Sequence, residues 1–365
     1  MAQIPICKET AEVIGHHADK VENRSLLFDK YALPKVDTSG NEFKEASKWS
    51  LMRIASGGTD LLEEESKAKR KEAEGKRTEE KNRPIYRAQA SMAQTMSKAA
   101  STPEDIPYVR QRHTLRLWSL IEKSYPENHG CFQARLGGRL AINLADGIIE
   151  NAGMSLDRIF GEPMIPASAL KGIARNCALW DVRKTADINQ RKQKLKLLTG
   201  VFGFGDNELK ADGAFCWALG SDETEFRSFM NSLKMDACKG GVSFLPAHPV
   251  SEEARVVVDL TNVHYPDYYR SSSIGDLRNE KLNPNAFPAV EAGTYFNFLF
   301  LLNDIGQKNP LHKHLLQAGG VWLKKALTQN GVGAKTAAGY GWFVLAKPDD
   351  PVIKQLFEIK SKGGH

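Results

Sequence analysis

The stretch from Pro310 to Ala346 reads PLHKHLLQAGGVWLKKALTQNGVGAKTAAGYGWFVLA, and the order of its parts decides the fold. Its first twenty residues have the apolar spacing of an amphipathic helix, and its last seven have the composition of a strand. Around the junction of the two, four glycines flank one Lys-Thr pair: Gly331, Gly333, Gly339 and Gly341 around Lys335 and Thr336. A glycine-rich loop therefore leaves a helix and enters a strand, which limits what the loop can bind.

This direction of the chain argues against a nucleotide-binding P-loop. A P-loop leaves a strand and opens a helix, and glycine stands directly before its Lys-Ser/Thr pair. Here Ala334 precedes Lys335, and a strand follows the loop. Without a helix N-terminus directed into the loop, the amides and the dipole that hold a phosphate are missing. We therefore expect no ATP site and no bound cofactor.

The end of the stretch, AGYGWFV (338–344), resembles the RNP1 strand of an RRM, whose aromatic rings stack on RNA bases. On such a strand Tyr340 and Trp342 would share one face, and Phe343 would lie on the other. Packing of Trp342 or Phe343 in the core explains the same residues, and we favour that interpretation. An RRM-type regulator of mRNA stays open as an alternative.

Further strand and helix patterns precede this stretch. The helix pattern SALKGIARNCALWDVRK begins at Ser168, which is a suitable N-cap. Four segments have strand composition: 139–145, 213–220, 254–261 and 294–303. Two successive strand–helix–strand units predict an α+β, ferredoxin-like (RRM-like) fold.

The domain organisation follows from these patterns. Residues 1–130 are expected to form a helical, partly disordered extension with a charged run at 63–83. Residues 131–347 form the core domain, which carries an insertion at about 262–293. Residues 348–365 form a C-terminal tail.

The composition is that of an ordinary globular protein: 365 residues, 41% hydrophobic, with a net charge of +6 that permits an anionic partner. No apolar run is long enough to span a bilayer, and the start of the chain lacks the pattern of a signal peptide. Five scattered cysteines without a CxxC motif argue against disulfides and against a metal site. We expect a cytoplasmic protein with no membrane partner.

Two motifs together resemble a known family. FGEPMIPASALKGIARNCA (160–178) is similar to the Pro-x-Ile-Pro-Gly-Ser-Ser-Leu-Lys-Gly signature of the RAMP superfamily, with Ala167 and Ala169 as departures. The glycine loop resembles that superfamily's glycine-rich loop, and GVFG (200–203) resembles its Phe-Gly step before a central strand. Two further stretches, LADGIIENAGMSLDRIFGEPMIP and NPNAFPAVEAGTYFNFLFLL, resemble the Cmr-type branch of type III-B CRISPR effector complexes.

The resemblance, over about residues 130–347, implies a RAMP (RRM-like) core with an inserted β-hairpin thumb. It also implies a non-catalytic RNA-binding subunit of an antiviral effector complex. Such a subunit binds the backbone of guide RNA, towards its 3′ end, and helps to hold the guide–target duplex. The implied partners are guide (CRISPR) RNA, target RNA and other RAMP subunits. A standalone RAMP-type endoribonuclease that processes guide RNA is the alternative.

The candidate RNA-binding residues come in two groups that must meet on one surface. On the helix, Lys171 and Arg175 are four residues apart and share a face. The full helix group is Ser168, Lys171, Gly172 and Arg175, and the full loop group is Gly331, Gly333, Lys335, Thr336 and Gly339. The cations attract phosphate, and the glycines let RNA approach the backbone.

A third group lies in the insertion and mixes rings with cations, a combination that suits unpaired RNA. Its members are His264, Tyr265, Tyr268 and Arg270. For catalysis, Asn151 stands where the resemblance places a cleaving aspartate, and an amide cannot replace that carboxylate. Asp146 and Asp157 are the remaining acidic candidates. We therefore expect no catalytic residue.

Overall fold

An antiparallel sheet forms the centre of the fold. The computed structural model describes residues 23, 25–26, 105–146, 153–210, 212–220, 223–232, 238–250, 254–263 and 283–362. The strands of this sheet are β1 (His129–Leu136), β4 (Val242–Phe244), β5 (His248–Pro249), β8 (Tyr295–Leu302) and β9 (Phe343–Leu345). Their order is β4–β8–β1–β9, and β5 pairs with β8 beside β4. This order, with a helix between β1 and β4 and another between β8 and β9, is ferredoxin-like. The predicted fold class is confirmed.

The described residues form further elements outside this sheet. The helices are α1 (Asp105–Ser124), α2 (Ala167–Lys184), α3 (Ile188–Phe202), α4 (Ala214–Leu219), α5 (Glu223–Ser232), α6 (Asp304–Gln307), α7 (His312–Gln329) and α8 (Pro351–Lys362). Short 3₁₀ turns occur at Leu144–Asp146, Asp206–Leu209 and Thr336–Ala338. The paired strands outside the central sheet are β2 (Gly203–Phe204) with β3 (Cys238–Lys239), and β6 (Val256–Val263) with β7 (Asn283–Val290).

The chain divides into two units, each with its own internal contacts. The core unit consists of Tyr108–Leu140, Met164–Glu252 and Ala292–His365. The hairpin unit consists of Met1–Pro107, Ala141–Pro163 and Glu253–Glu291. The central sheet, α2, α7 and the glycine loop all belong to the core unit.

One face of the central sheet packs against α2, α3 and α7, and we call it the α2–α7 face. The Phe300 ring lies so close to Gly130 and Gly320 that a Cβ at either glycine would be 2.2 or 2.7 Å from it. Phe244 stacks between the rings of Phe202 and Phe300, at centroid distances of 5.8 and 6.2 Å. Alternating apolar residues of the strands thus interlock with the helices, as burial of one sheet face requires.

The opposite face of the sheet is covered by α1 and α8, and we call it the α1–α8 face. A buried cluster joins them across the sheet: Leu115, Trp118, Ile121, Val250, Leu299 and Leu356. Lys360 of α8 lies 3.6 Å from the centre of the Trp118 ring and forms a 2.6 Å ion pair with Glu122 of α1. Both helices therefore seal a sheet face that an RRM leaves open for RNA.

The first strand lies earlier in the chain than predicted. Residues 139–145 were expected to be a strand, but they contribute only isolated bridges, and Asn143 has a positive φ of 61° that ends an extended backbone. The strand is His129–Leu136, in which Phe132, Ala134 and Leu136 are buried. This alternation of apolar residues at every second position is present in the sequence, and it indicates the strand better than amino-acid composition does.

The segment 213–220 was also predicted wrongly as a strand, and it forms helix α4. Gly220 ends the helix in the left-handed conformation with φ 68°, which glycine adopts at low cost. The residues Phe215, Cys216, Ala218 and Leu219 are buried, at the spacing of one helical face. The second strand of the ferredoxin-like order is instead β4.

The hairpin unit contains β6 and β7, which pair over eight residues from Val256–Val290 to Val263–Asn283. The inserted hairpin therefore begins before residue 262, the boundary predicted from the sequence. Pro284 and Pro288 are tolerated in β7 because each strand of a two-stranded ribbon has an unpaired edge. The hairpin tip lies outside the described residues, as do the third-group candidates His264, Tyr265, Tyr268 and Arg270.

The ends of the chain are only partly described. Helix α1 lies within the predicted extension 1–130, and the charged run 63–83 lies outside the described residues. The predicted tail 348–365 contains α8. Of the helices that the structure describes, none combines the length and apolar character needed to cross a bilayer.

Candidate nucleic-acid interface

The glycine loop, residues 330–342, is a folded turn with an unusual backbone. Five of its residues have a positive φ: Gly331 (76°), Gly333 (90°), Lys335 (59°), Gly339 (92°) and Gly341 (69°). Lys335 adopts this conformation without being glycine, which costs energy and marks a functional or strained position. The 3₁₀ turn Thr336–Ala338 follows it, and the Trp342 indole donates a 2.9 Å hydrogen bond to the Thr336 carbonyl.

The glycines of this loop serve two purposes. Gly341 is buried, and a Cβ there would lie 1.9 Å from the Val332 carbonyl oxygen. Gly339 is exposed, and no atom of the described residues lies within 4 Å of where its Cβ would be. Gly333 is exposed as well. The buried glycine permits the fold of the loop, whereas the exposed ones leave the backbone open to a ligand.

The strand after the loop is shorter than predicted, because β9 begins at Phe343. Tyr340 and Trp342 therefore do not share a strand face, and the prediction of an extended segment from residue 340 is wrong. Phe343 is buried against Phe296 and Phe298 at ring distances of 5.8 and 5.3 Å. Core packing thus explains Phe343, as the sequence favoured.

Helix α2 begins at Ala167, two residues earlier than an N-cap at Ser168 would place it, so Ser168 is not its N-cap. The cap is Pro166, whose extended backbone (φ −59°, ψ 144°) places its carbonyl to accept from the Ala169 and Leu170 amides. Proline has no side-chain acceptor for the remaining amides of the first turn. Ser168 is exposed in that turn. These amides and the positive end of the helix dipole suit an anion.

Lys171 and Gly172 follow on the exposed side of α2. Lys171 is half-buried and Gly172 is exposed, with no described atom within 4 Å of a Cβ at position 172. Glycine inside a helix costs about 1 kcal/mol relative to alanine. Packing among the described residues does not offset this cost.

Arg175 has a partner within the chain. Its Nη2 donates to Glu208 Oε1 at 2.6 Å, and its guanidinium lies 5.5 Å from the centre of the Phe215 ring. The second oxygen of Glu208 accepts from the Gly205 amide at 3.1 Å. Arg175 therefore connects α2 with the turn that follows β2, and this ion pair is only about a quarter exposed.

The glycine loop faces the C-terminal half of α2 across an open cleft of about 470 Å³. Helix α7 contributes Lys325 and Gln329 to its lining. The cleft is lined by Cys177, Trp180, Asp181, Lys184, Lys325, Gln329, Asn330, Thr336, Ala337 and Trp342. The structure thus brings Thr336 next to the C-terminal half of α2, through residues that the sequence did not single out, and the predicted helix group is not part of this cleft.

Lys171 and Arg175 are on another side of α2. At 100° per residue, they are rotated by about 140–180° around the helix axis from Trp180 and Lys184. Neither belongs to the lining of the cleft. The spacing of Cys177, Trp180 and Lys184, at i, i+3 and i+7, was the available signal for the face that meets the loop.

Asp181 of α2 forms ion pairs with two lysines in and beside the cleft. Burial of its carboxylate opposes ionisation, but a hydrogen bond from Trp322 and the bonds and charges of Lys194 and Lys325 outweigh it, so the pKa is lowered. The distances are 3.2 Å to Trp322 Nε1, 3.1 Å to Lys194 Nζ and 3.6 Å to Lys325 Nζ. The carboxylate is thus ionised at neutral pH and fixes the adjacent lysines.

The acidic candidates for cleavage are placed as follows. Asp157 lies in the hairpin unit, where its Oδ1 accepts from the Ile159 and Phe160 amides at 2.8 and 2.9 Å and closes a tight turn. Asp146 ends the 3₁₀ turn Leu144–Asp146, and Asn151 lies outside the described residues. Within the described ranges, no three His, Cys, Asp or Glu side chains are grouped to hold a metal ion.

Comparisons with known proteins agree with the motifs. A family model described as the RAMP superfamily matches residues 140–344. A Pyrococcus furiosus protein described as CRISPR system Cmr subunit Cmr6 is 26% identical over 231 residues, which cover 56% of this chain and 65% of that protein. The chain thus spans slightly less than two thirds of that relative. Several stretches quoted above also resemble the sixth subunit of the Cmr-type branch.

Solved structures give a weaker likeness. A chain of the cryo-EM structure of the type III-B Cmr-beta bound to cognate target RNA is 18% identical, with a TM-score of 0.44, over 75% of this chain and 76% of that one. The crystal structure of Cmr6 from Pyrococcus furiosus is 21% identical, with a TM-score of 0.33, over 60% of this chain and 98% of that one.

Proposed function

The chain belongs to the RAMP superfamily, and from that premise we propose that it is a non-catalytic RNA-binding subunit of a Cmr-type (type III-B) effector complex. It binds the backbone of guide RNA, towards the 3′ end, alongside other RAMP subunits. In this assembly it helps to hold the guide–target duplex, and its place is the cytoplasm.

The observation that carries this proposal is the exposed part of the glycine loop. Gly333 and Gly339 remove side chains where RNA would approach, and Lys335 and Thr336 offer a charge and a hydroxyl between them. A cation that neutralises a phosphate releases counterions, and a hydroxyl bonds phosphate or a ribose 2′-OH. The positive φ of Lys335 holds this presentation in place.

A second contact is proposed at the start of α2. The first-turn amides, Ser168 and Lys171 suit a phosphate, and the open space at Gly172 admits a sugar–phosphate chain. Arg175 contributes less, because binding RNA would require it to leave Glu208. The hairpin β6–β7 is proposed to be the thumb, whose rings at 264–270 would reach the duplex.

The α1–α8 face argues against an RRM-type regulator. Such a protein stacks bases on an open sheet, with aromatic side chains on its central strands. Here the face opposite α2 and α7 is covered, and Leu299 and Trp118 are buried there at 4% and 3% exposure. Binding on the edges of the helices and in the loop is therefore favoured over binding on the sheet.

A change at Lys335 tests RNA binding. We expect Lys335→Ala to weaken binding of a single-stranded RNA oligonucleotide and to reduce the salt slope of log K by about 0.7, the value for one lost phosphate contact. Fluorescence anisotropy over a salt series measures both. The matched control is Lys354→Ala, which removes an exposed lysine of α8. An unchanged slope for Lys335→Ala would count against the proposal.

Membership in an effector complex needs a separate measurement. The full chain is expected to co-purify from its native cells with RAMP subunits and with RNA that carries a repeat-derived tag on every molecule. RNA of mixed origin without partner subunits would contradict the proposal. Purified chain that cuts repeat RNA without partners would instead support the endoribonuclease.

A further inference from the structure

The cleft between α2 and the glycine loop contains two tryptophans that RNA-backbone binding leaves unused. Trp180 of α2 is 44% exposed, and Trp342 at the end of the loop is half-buried. Trp342 has its indole nitrogen bonded within the loop, so its ring is fixed in the cleft wall. Tryptophan is enriched at binding surfaces because its side chain is apolar at one end and polar at the other, so an exposed ring beside a polar cleft points to a ligand.

Trp180 is held in place by its neighbours. The ring of Trp217, itself 41% exposed, meets it at a centroid distance of 4.8 Å and an angle of 83°. Arg183 braces Trp217 by donating to its carbonyl at 3.1 Å and by lying 5.9 Å from its ring. A ring supported edge-on by a second ring loses little freedom when a ligand stacks on it, and this preorganisation favours binding.

Cations and amides surround the ring. Lys184 Nζ lies 5.6 Å from the Trp180 ring centre, and Lys325 borders the same cleft. Gln329 and Asn330 add exposed amides at the end of α7. Asp181 is the acidic residue of the lining, and its two lysine partners and Trp322 engage it. An exposed aromatic ring with amides and a net positive charge suits a nucleotide. The ring can stack on the base, the amides can hydrogen-bond the edge of the base, and a lysine can bind its phosphate.

We propose that this cleft binds one unpaired nucleobase of the RNA strand whose backbone lies on the glycine loop, with Trp180 as the stacking ring. The inference rests on the proposed function, because the loop must first bring RNA to the cleft. A volume of about 470 Å³ fits a single nucleotide and excludes a duplex. Lys184 is a flexible cation that leaves the ring for the phosphate of that nucleotide.

The test compares Trp180→Leu with the wild-type full chain on two oligonucleotides of equal length. One is single-stranded RNA, and the other is an abasic ribose-phosphate chain that has no base at any position. Stacking on an aromatic ring contributes about 5- to 150-fold to affinity. We expect Trp180→Leu to weaken binding of RNA by a factor in this range and to leave binding of the abasic chain unchanged.

Two further variants distinguish stacking from a structural effect. Trp180→Phe keeps a ring and is expected to retain most of the affinity for RNA. Phe357→Leu, at an exposed aromatic of α8, removes a ring on the other side of the sheet and is expected to change nothing. Equal loss on RNA and on the abasic chain would overturn the inference, because the ring would then support the backbone site or the fold.

The remaining outcomes separate this inference from the proposed function. If wild-type protein binds RNA and Trp180→Leu binds it equally well, the base site is wrong and the proposed function stands. If wild-type protein binds neither oligonucleotide, the proposed function itself fails. If Trp180→Leu keeps its RNA affinity but no longer co-purifies with a partner subunit, the cleft is a protein-docking site and the inference is overturned.

Discussion

The two faces of the central sheet differ in what covers them and in what remains open. On the α1–α8 face, Trp118 is 3% exposed beneath Lys360, and an apolar cluster fills the space between helices and sheet. On the α2–α7 face the core is also buried, but α2, α7 and the glycine loop line an open cleft that contains charged residues and the half-exposed Trp180.

The surface on which an RRM stacks bases is here covered by α1 and α8 and forms a second hydrophobic core. The nucleic-acid contacts proposed above lie instead on the glycine loop and the helix edges. The family match covers residues 140–344, so α1 and α8 lie outside it. Stability and RNA binding should therefore respond to different substitutions.

The largest expected effect comes from the two tryptophans. Trp118→Ala should lower the free energy of unfolding by about 3–5 kcal/mol, because it removes a fully buried ring from the α1–α8 face. Trp180→Ala should lower it by about 1 kcal/mol or less, because that ring is half exposed. Urea unfolding measures both. Equal losses would mean that the two faces do not differ as described.

Within the glycine loop, substitution of the buried glycine should likewise lower the stability more than substitution of an exposed one. Gly341→Ala is expected to cost about 3 kcal/mol, since a positive φ and an overlap with the Val332 carbonyl act together. Gly339→Ala, with a positive φ of 92° but open space around the position, should cost about 1 kcal/mol. Thermal unfolding of the two variants compares them. A reversed order would show that Gly339, not Gly341, supports the loop.

The Arg175–Glu208 ion pair gives a smaller effect, because it is about a quarter exposed. A double-mutant cycle with Arg175→Ala and Glu208→Gln should give a coupling energy of about 1 kcal/mol in unfolding. The accompanying RNA titration should show a smaller loss for Arg175→Ala than for Lys335→Ala. A larger loss of RNA affinity for Arg175→Ala would mean that Arg175 is a main contact to RNA.

The smallest effect is confined to alkaline pH. Burial raises the pKa of the Cys131 thiol from 9.0 to about 12, so the folded protein keeps a proton that the unfolded chain releases. The stability from this thiol is complete below pH 9 and is lost as the pH rises towards 12. The free energy of unfolding, measured with urea at increasing pH, should therefore fall less steeply for Cys131→Ala than for the wild-type protein. Parallel curves would indicate that the thiol is accessible to water.

Much of the fold followed from the sequence because local patterns were strong. The period of α7, the apolar run of β8 and the turn into the last strand predicted the second strand–helix–strand unit within a few residues. The first unit was less accurate: β1 was placed too late, and α4 was taken for a strand. Short apolar segments such as 213–220 have no clear period, and their glycine caps act only in the folded chain.

Some residues of the candidate site were proposed from the sequence, and others are recognisable only in the structure. Lys335, Thr336 and the exposed glycines were found from spacing, since a loop between a helix and a strand has little freedom in where it lies. Trp180 and Lys184 were missed, because on one helix face they look like ordinary exposed residues until a second segment is placed opposite them. The engagement of Arg175 by Glu208, 33 residues later in the chain, was equally invisible.

The sequence by itself determined the family, the ferredoxin-like order and the identity of the glycine loop, because each depends on residue types at fixed local spacing. Tertiary structure alone decided which face of α2 meets that loop and that α1 and α8 close the other side of the sheet. Both outcomes depend on contacts between segments more than a hundred residues apart, where small rotations of a helix change its neighbours without changing its pattern.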